Sequence, residues 1–243
     1  MRAGAEGAAA PAPDAHTIKL VIAAGFGSMH GRQREGGLMP RPITYYFSLL
    51  SPWAYIGHRL FMDIAARRDL AVSYKPVVLT DVFAATGGLP LAKRHAARQR
   101  YRMLELQRWR DKRGLHFTLK PAFWPFDVTL ADRFVIAAVV KGTDPGAFLA
   151  NAFAAVWEGQ RNLAEEATLL ELAATAQLPG AELVALARAE TTAAAYAQNT
   201  GEAIAASAFG SPCFVLDDEV FWGQDRLELL DDALASGRAA YRP

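Results

Sequence analysis

Cysteine is nearly absent from this chain: Cys213 stands alone among 243 residues. A lone thiol excludes an internal disulfide and a cysteine metal cluster, and it is compatible with a reducing compartment. The five histidines, His16, His30, His58, His95 and His116, never fall at a paired ligand spacing, so no bound metal is expected. Charge of one sign is missing too. With 26 Lys and Arg against 25 Asp and Glu, the chain offers no general field for nucleic acid or an anionic membrane. Long apolar runs are also lacking: Ile18 to Phe26 is far too short to span a bilayer, and Lys19 makes it a poor secretory signal. Gly25-Phe26-Gly27 has no third glycine at the required place, so a dinucleotide loop is not supported.

What is abundant is alanine, within a hydrophobic share of 52%, which points to a helix-rich globular chain with a sizeable core. Residues 1 to 40, rich in Ala, Gly and Pro, read as a flexible or mis-annotated leader, with Met39 as the natural start. Ile43 to Phe47 then has strand character. Ser51-Pro52-Trp53-Ala54 opens a helix through Ile56, Leu60, Phe61 and Ile64: Pro52 suits a first turn that needs no N–H there, and Ser51 suits the cap. Ser51 either only caps the helix or presents a hydroxyl beside an anion-favouring helix end. Ala71 to Val78 is a second strand, completing a βαβ unit with a right-handed crossover.

From Pro90 to about Ala206 the pattern is almost wholly helical. One long helix is expected over 91–113, ended by Gly114, with nine Lys and Arg against Glu105 and Asp111. Its basic face is either solvated or a rim that attracts small carboxylate substrates. Tyr101 and Trp109 share a face there and read as packing. The loop Lys120 to Asp127, rich in proline and aromatics, either plugs the core or lines a pocket. Further helices are expected over 130–141, 145–157, 165–177 and 182–195. Strands return at Cys213 to Leu216 and Val220 to Trp222, joined by a turn at Asp217-Asp218, before a last helix from Asp225. The two ends must pair to make one sheet. Residues 41–79 and 201–238 are therefore expected to form one α/β domain, and 80–200 a helical insertion domain.

This order, with Phe209-Gly210-Ser211-Pro212 leading into the third strand, resembles a DsbA-type thioredoxin fold with a large all-helical insertion. The resemblance implies a cis-proline at Pro212, facing the active-site helix end. Ser51-Pro52-Trp53-Ala54 stands where such proteins carry Cys-Pro-x-Cys, so dithiol chemistry is excluded unless Cys213 acts alone. Cys213 reads as a buried, inert thiol or a reactive one. Within that superfamily the chain is most similar to the glutathione-dependent 2-hydroxychromene-2-carboxylate isomerases, relatives of the kappa-class glutathione transferases. Four stretches carry the likeness: Tyr46 to Tyr55, Tyr101 with Glu105 to Trp109, Phe209 to Pro212, and Phe221 to Leu227.

By this resemblance glutathione is the cofactor. Ser51 is catalytic and contacts its sulfur, the Ser211 backbone before Pro212 pairs with its peptide backbone, and Trp222, Gly223, Gln224 and Asp225 bind its γ-glutamyl end. Asp225 is also placed to cap the last helix. Trp53, Trp124 and Trp222 can wall an aromatic site or belong to the core. Three departures fall where the second substrate is expected: Phe83 in place of a basic residue, Gly87-Gly88 in place of Gly-Asn, and Asp127 in place of Asn. The implied activity is a cytoplasmic isomerase of an aromatic carboxylate or enone, working as a homodimer. Alternatives are a kappa-like transferase, which consumes glutathione, and a non-catalytic glutathione or thiol-peptide binding protein. No His–Asp pair at a suggestive spacing supports a serine hydrolase.

Overall fold

The computed structural model describes residues 41–242, so the expected leader lies outside the described residues. β1 (Arg41–Phe47) alternates its side chains across the sheet, as a strand must. Ile43, Tyr45 and Phe47 enter the main core, while Tyr46 enters a smaller cluster on the other face with Val77, Val82, Ala203 and Cys213. α1 (Pro52–Arg67) covers the first face, bringing the Phe61 ring to 4.9 Å from Tyr45 and 4.5 Å from Phe214. β2 (Leu70–Pro76) then pairs parallel to β1, the crossover expected from the sequence.

The chain closes the sheet from its other end. β3 (Cys213–Leu216) lies antiparallel to β1, with Phe214 opposite Tyr45, and β4 (Glu219–Trp222) pairs antiparallel to β3. Asp217 and Asp218 both have positive φ, 51° and 65°, as a two-residue hairpin turn of the right twist requires. The sheet order is β2-β1-β3-β4.

Between β2 and β3 the helices differ from expectation at three places. α2 (Leu79–Thr86), not anticipated, carries Val82 into the smaller cluster and stops at Gly87, φ 77°. The helix expected over 91–113 is broken: Leu91–Lys93 is a single 3-10 turn, Arg94 and His95 are extended, and α3 runs Ala96–Arg113. His95 starts it, its Nδ1 accepting from the Ala97 N–H at 3.2 Å. α4 (Thr129–Val140), α5 (Gly146–Trp157) and α6 (Glu166–Thr175) run close to expectation. The helix expected over 182–195 is instead α7 (Gly180–Arg188) and α8 (Glu190–Ala205), separated at the extended Ala189. Its carbonyl accepts from Arg133 Nη2 at 2.8 Å. α9 (Leu227–Ser236) closes the fold.

The helical segment does not have a core of its own. Phe134, Phe148, Phe153 and Trp157 belong to the same cluster as Phe47 and Phe214. Among the described residues no helix is long and apolar enough to cross a membrane.

Candidate functional site

Ser51 caps α1 in extended conformation, its Oγ accepting from the Ala54 N–H at 3.2 Å, with Pro52 in the first turn. The same hydroxyl donates to the Ser211 carbonyl at 3.0 Å. Capping is therefore only one of its two bonds. A second lacing runs from the Ser48 N–H to Ser211 Oγ at 3.1 Å. The loop between β1 and α1 and the segment before β3 are thus held together at two points, and the Ser211–Pro212 peptide bond is cis. Ser51 is 4% and Ser211 7% exposed.

Beneath this junction lies a carboxylate that sequence reasoning missed. Asp132, on α4, is fully buried. Its Oδ1 accepts from the Leu49 N–H at 2.9 Å, and its Oδ2 is bonded to the Ser48 hydroxyl at 2.9 Å and the Tyr196 hydroxyl at 2.8 Å. Burial pushes its pKa from 3.8 up to about 7, against the three hydrogen bonds. Tyr196 also reaches the Val77 carbonyl at 3.2 Å. A neutral Asp132 can therefore donate to Tyr196 while Tyr196 donates to Val77, leaving every partner satisfied.

The C-terminal side of the site is built on close approach. Gly210 meets the Trp222 indole, where a Cβ would collide with Nε1, and the Phe209 and Trp222 rings lie 4.6 Å apart. The Gly223 N–H donates to the Pro212 carbonyl at 2.9 Å, and its φ of 98° suits glycine. Gln224 is buried, and its carbonyl accepts from Arg113 Nη2 at 3.2 Å. Gly57 of α1 makes room for it: a Cβ there would lie 2.7 Å from Gln224 Cβ. Asp225 makes no cap bond to α9; it pairs with Arg226 at 2.6 Å.

These residues open onto a cleft of about 620 Å³. Trp53, Ser211, Trp222, Gly223, Gln224 and Asp225 line it, so six of the expected site residues meet there. Ser51 and Pro212 stand directly behind Ser211. From α3, Tyr101 and Trp109 line it too, so their role is not packing alone; Tyr101 is exposed. Phe83, Trp124 and Asp127 do not line it. Phe83 and Trp124 instead lie under the guanidinium groups of Arg94 and Arg102, at 5.5 and 5.2 Å. Asp127 is exposed and accepts from the Thr129 N–H at 2.9 Å, at the start of α4. A second hollow of about 530 Å³, at the C-terminal end of α3, shares no lining residue with the first.

The arrangement of a capped helix end, a cis-proline and a cleft has a counterpart in sequence. The pattern of the DSBA-like thioredoxin domain matches residues 42–235. The chain belongs to that family. Two curated relatives are each named 2-hydroxychromene-2-carboxylate isomerase. The one from Sphingobium xenophagum is 25% identical over 198 residues, covering 81% of this chain and 99% of the relative. The one from Pseudomonas putida is 28% identical over 199 residues, covering 79% and 93%. A solved structure of 2-hydroxychromene-2-carboxylate isomerase superposes with a TM-score of 0.67 at 24% identity, covering 80% of this chain and 95% of that one.

In this DsbA-like chain both positions of the family's redox pair are blank, Ser51 and Ala54 standing in their place. Cys213 does not compensate. It is buried, and burial pushes its thiol up to about 12, which makes it inert at neutral pH. His58 is also buried, and among the described residues neither ring nitrogen has a hydrogen-bond partner. Burial holds it neutral by lowering its pKa to about 4, and Ser51 donates to a carbonyl and not to an imidazole. Among the described residues no acyl-transfer pair is assembled.

Proposed function

We propose that the protein is a glutathione-dependent isomerase of an aromatic carboxylate or enone, of the 2-hydroxychromene-2-carboxylate kind. The observation that carries this reading is the Ser51 hydroxyl at the α1 N-terminus, bonded to the Ser211 carbonyl beside a cleft walled by Trp53 and Trp222. The names of the curated relatives support it. The residues present fit glutathione: a cleft of about 620 Å³ suits a small peptide beside a planar ligand, and Asp225 offers a carboxylate for an ammonium group. Among the described residues the Ser211 N–H has no hydrogen-bond partner, leaving a donor for a peptide carbonyl.

Bound glutathione would supply a nucleophilic sulfur that adds reversibly to an unsaturated carbon, permits rotation about the resulting single bond and leaves again. The chain's task is to hold that sulfur as an anion. A free thiol near pKa 8.5 needs about 2.7 kcal/mol of preference for the anion to fall by two units. The helix end contributes about 0.3–1 kcal/mol, and a hydroxyl donor to a charged acceptor about 1.5–3 kcal/mol. Ser51 has one proton, so it must turn from the Ser211 carbonyl towards the sulfur. A ligand N–H arriving at that carbonyl replaces the lost bond. Trp222, Gly223, Gln224 and Asp225 hold the γ-glutamyl end, and Trp53 faces the aromatic ligand.

The same proposal places the protein in the cytoplasm as a homodimer. Calorimetric titration with reduced glutathione tests it. Saturable binding weakened by Ser51→Ala is expected, with turnover of hydroxychromene carboxylates that leaves glutathione unconsumed; net consumption would instead mark a kappa-like transferase. Absence of binding at millimolar glutathione would end the cofactor assignment.

A further inference from the structure

The wall that α3 gives to the cleft is basic in a particular way. Arg94, Arg98 and Arg102 all line it, four residues apart. Arg98 and Arg102 therefore lie one above the other on α3, and Arg94 continues the row from the extended segment before it. Like charges at that spacing repel, and further along the same helix each comparable arginine has a carboxylate: Arg108 with Glu105, which lines the cleft but is taken up by this pair, Arg110 with Asp111, Arg113 with Glu228. Among the described residues none of the three cleft arginines has one.

Arg102 carries most of the cost. It is half-buried, its guanidinium lies 5.2 Å from the Trp124 ring centre, and its Nη1 reaches only Met103 Sδ, at 3.9 Å. Burial, and then the charge of Arg94, push it down to about 10. Arg94 is better served, donating from Nε to the Leu89 carbonyl at 2.7 Å. Trp124 fixes where the Arg102 charge sits: its Nε1 donates to the Leu50 carbonyl at 2.9 Å, one residue before Ser51. A half-buried guanidinium with donors unspent, on a cleft that also holds Ser211, is built for a planar anion.

We propose that Arg102, with Arg98 and Arg94 beyond it, binds the carboxylate of an unsaturated aromatic acid whose reactive carbon faces the thiol held at Ser51 and Ser211. This rests on the glutathione reading for the identity of the thiol, but the row itself does not. Phe83 and Trp124 are then platforms for the arginines and not contacts of the substrate.

The test compares trans-cinnamate with the neutral cinnamamide, followed by quenching of tryptophan fluorescence. Wild-type protein is expected to prefer cinnamate by about tenfold or more. Arg102→Met keeps the stem over Trp124 and is expected to bring the two ligands to within about twofold, with glutathione affinity by calorimetry unchanged. Should that variant fail to fold, Arg98→Gln, at an exposed position, is expected to reduce the preference by about threefold. A preference unchanged by the variants overturns the proposal. So does weakened glutathione binding with cinnamate binding intact, which would give the row to the tripeptide's own carboxylate. An Arg102-dependent preference in a protein that binds no glutathione would uphold the row and refute the thiol assignment alone.

Discussion

Replacing Asp132 tests what holds the loop of Ser51 in place. Asp132→Ala leaves the buried Leu49 N–H without its acceptor, and the Ser48 and Tyr196 hydroxyls lose a partner. An orphaned buried donor costs about 1–3 kcal/mol, and the vacated volume adds to it, so a loss of about 2–5 kcal/mol is expected. Asp132→Asn behaves differently. Its amide oxygen accepts from Leu49 and its amide nitrogen donates to Tyr196, whose own proton then goes to the Val77 carbonyl, 3.2 Å away. It keeps the shape and removes the titration.

A carboxyl whose folded pKa, about 7, lies above its ordinary value of 3.8 binds more protons in the folded state. Its stabilisation is complete below about pH 4 and is lost as pH rises through about 7, an order of 4 kcal/mol in all. His58 runs the other way. With its value lowered from 6.5 to about 4, it stabilises above about pH 6.5 and loses about 3 kcal/mol as pH falls through 4. The two nearly cancel in the wild type over the shared window. Urea unfolding across that range is therefore expected to show the wild type nearly flat, apart from its surface carboxylates, and Asp132→Asn gaining stability with pH. The difference between them should fall by about 1.4 kcal/mol per pH unit, or roughly 3–5 °C in melting temperature. A difference that stays constant between about pH 4 and 7 would refute the neutral buried carboxyl.

Three other perturbations have decided directions. Ser51→Ala removes a cap and the bond to Ser211, costing about 1–2 kcal/mol in unfolding experiments. It is also expected to raise the pKa of a bound glutathione thiol by about 1–2 units, read from thiolate absorbance against pH. Gly57→Ala would stabilise an open helix by about 0.5–1 kcal/mol, but here its Cβ meets Gln224 Cβ at 2.7 Å. The clash is expected to win by about 1–3 kcal/mol and to weaken glutathione binding through Gln224. Trp124→Phe loses the bond to the Leu50 carbonyl; a fall of roughly 2–4 °C in melting temperature is expected by calorimetry.

Much of the site was legible because its signals are local. Ser51-Pro52 announces a helix start through cap and proline chemistry, and Asp217-Asp218 between two apolar runs announces a hairpin. Period-two alternation in Ile43 to Phe47 and in Cys213 to Leu216 sets which side chains face which core. The helix breaks were not legible in the same way. Arg94, His95 and Ala189 include neither glycine nor proline, and alanine favours a continuous helix. The break at Ala189 is held by Arg133, which donates to its carbonyl, and by Thr192, whose hydroxyl donates to the Leu186 carbonyl at 2.7 Å.

By itself, then, the sequence determined the four strands, the helix after the first of them and the blank redox pair, all of which depend on residue types within a few positions of one another; that the two chain ends pair into one sheet followed from the lack of strands between them. Tertiary structure alone decided the rest. Nothing in Leu130-Ala131-Asp132-Arg133 marks the aspartate as buried; only packing against Leu49 and Tyr196 buries it and raises its pKa. The basic face over 91–113 reads equally as solvated or as a rim for carboxylates; Arg108 and Arg110 find theirs locally, but only the fold brings Glu228 to Arg113 and sets Arg94, Arg98 and Arg102 on the cleft, with no carboxylate partner among the described residues. The burial of Asp132 and the place of the arginine row on the cleft depend on what distant segments bring to them, and no local pattern encodes that.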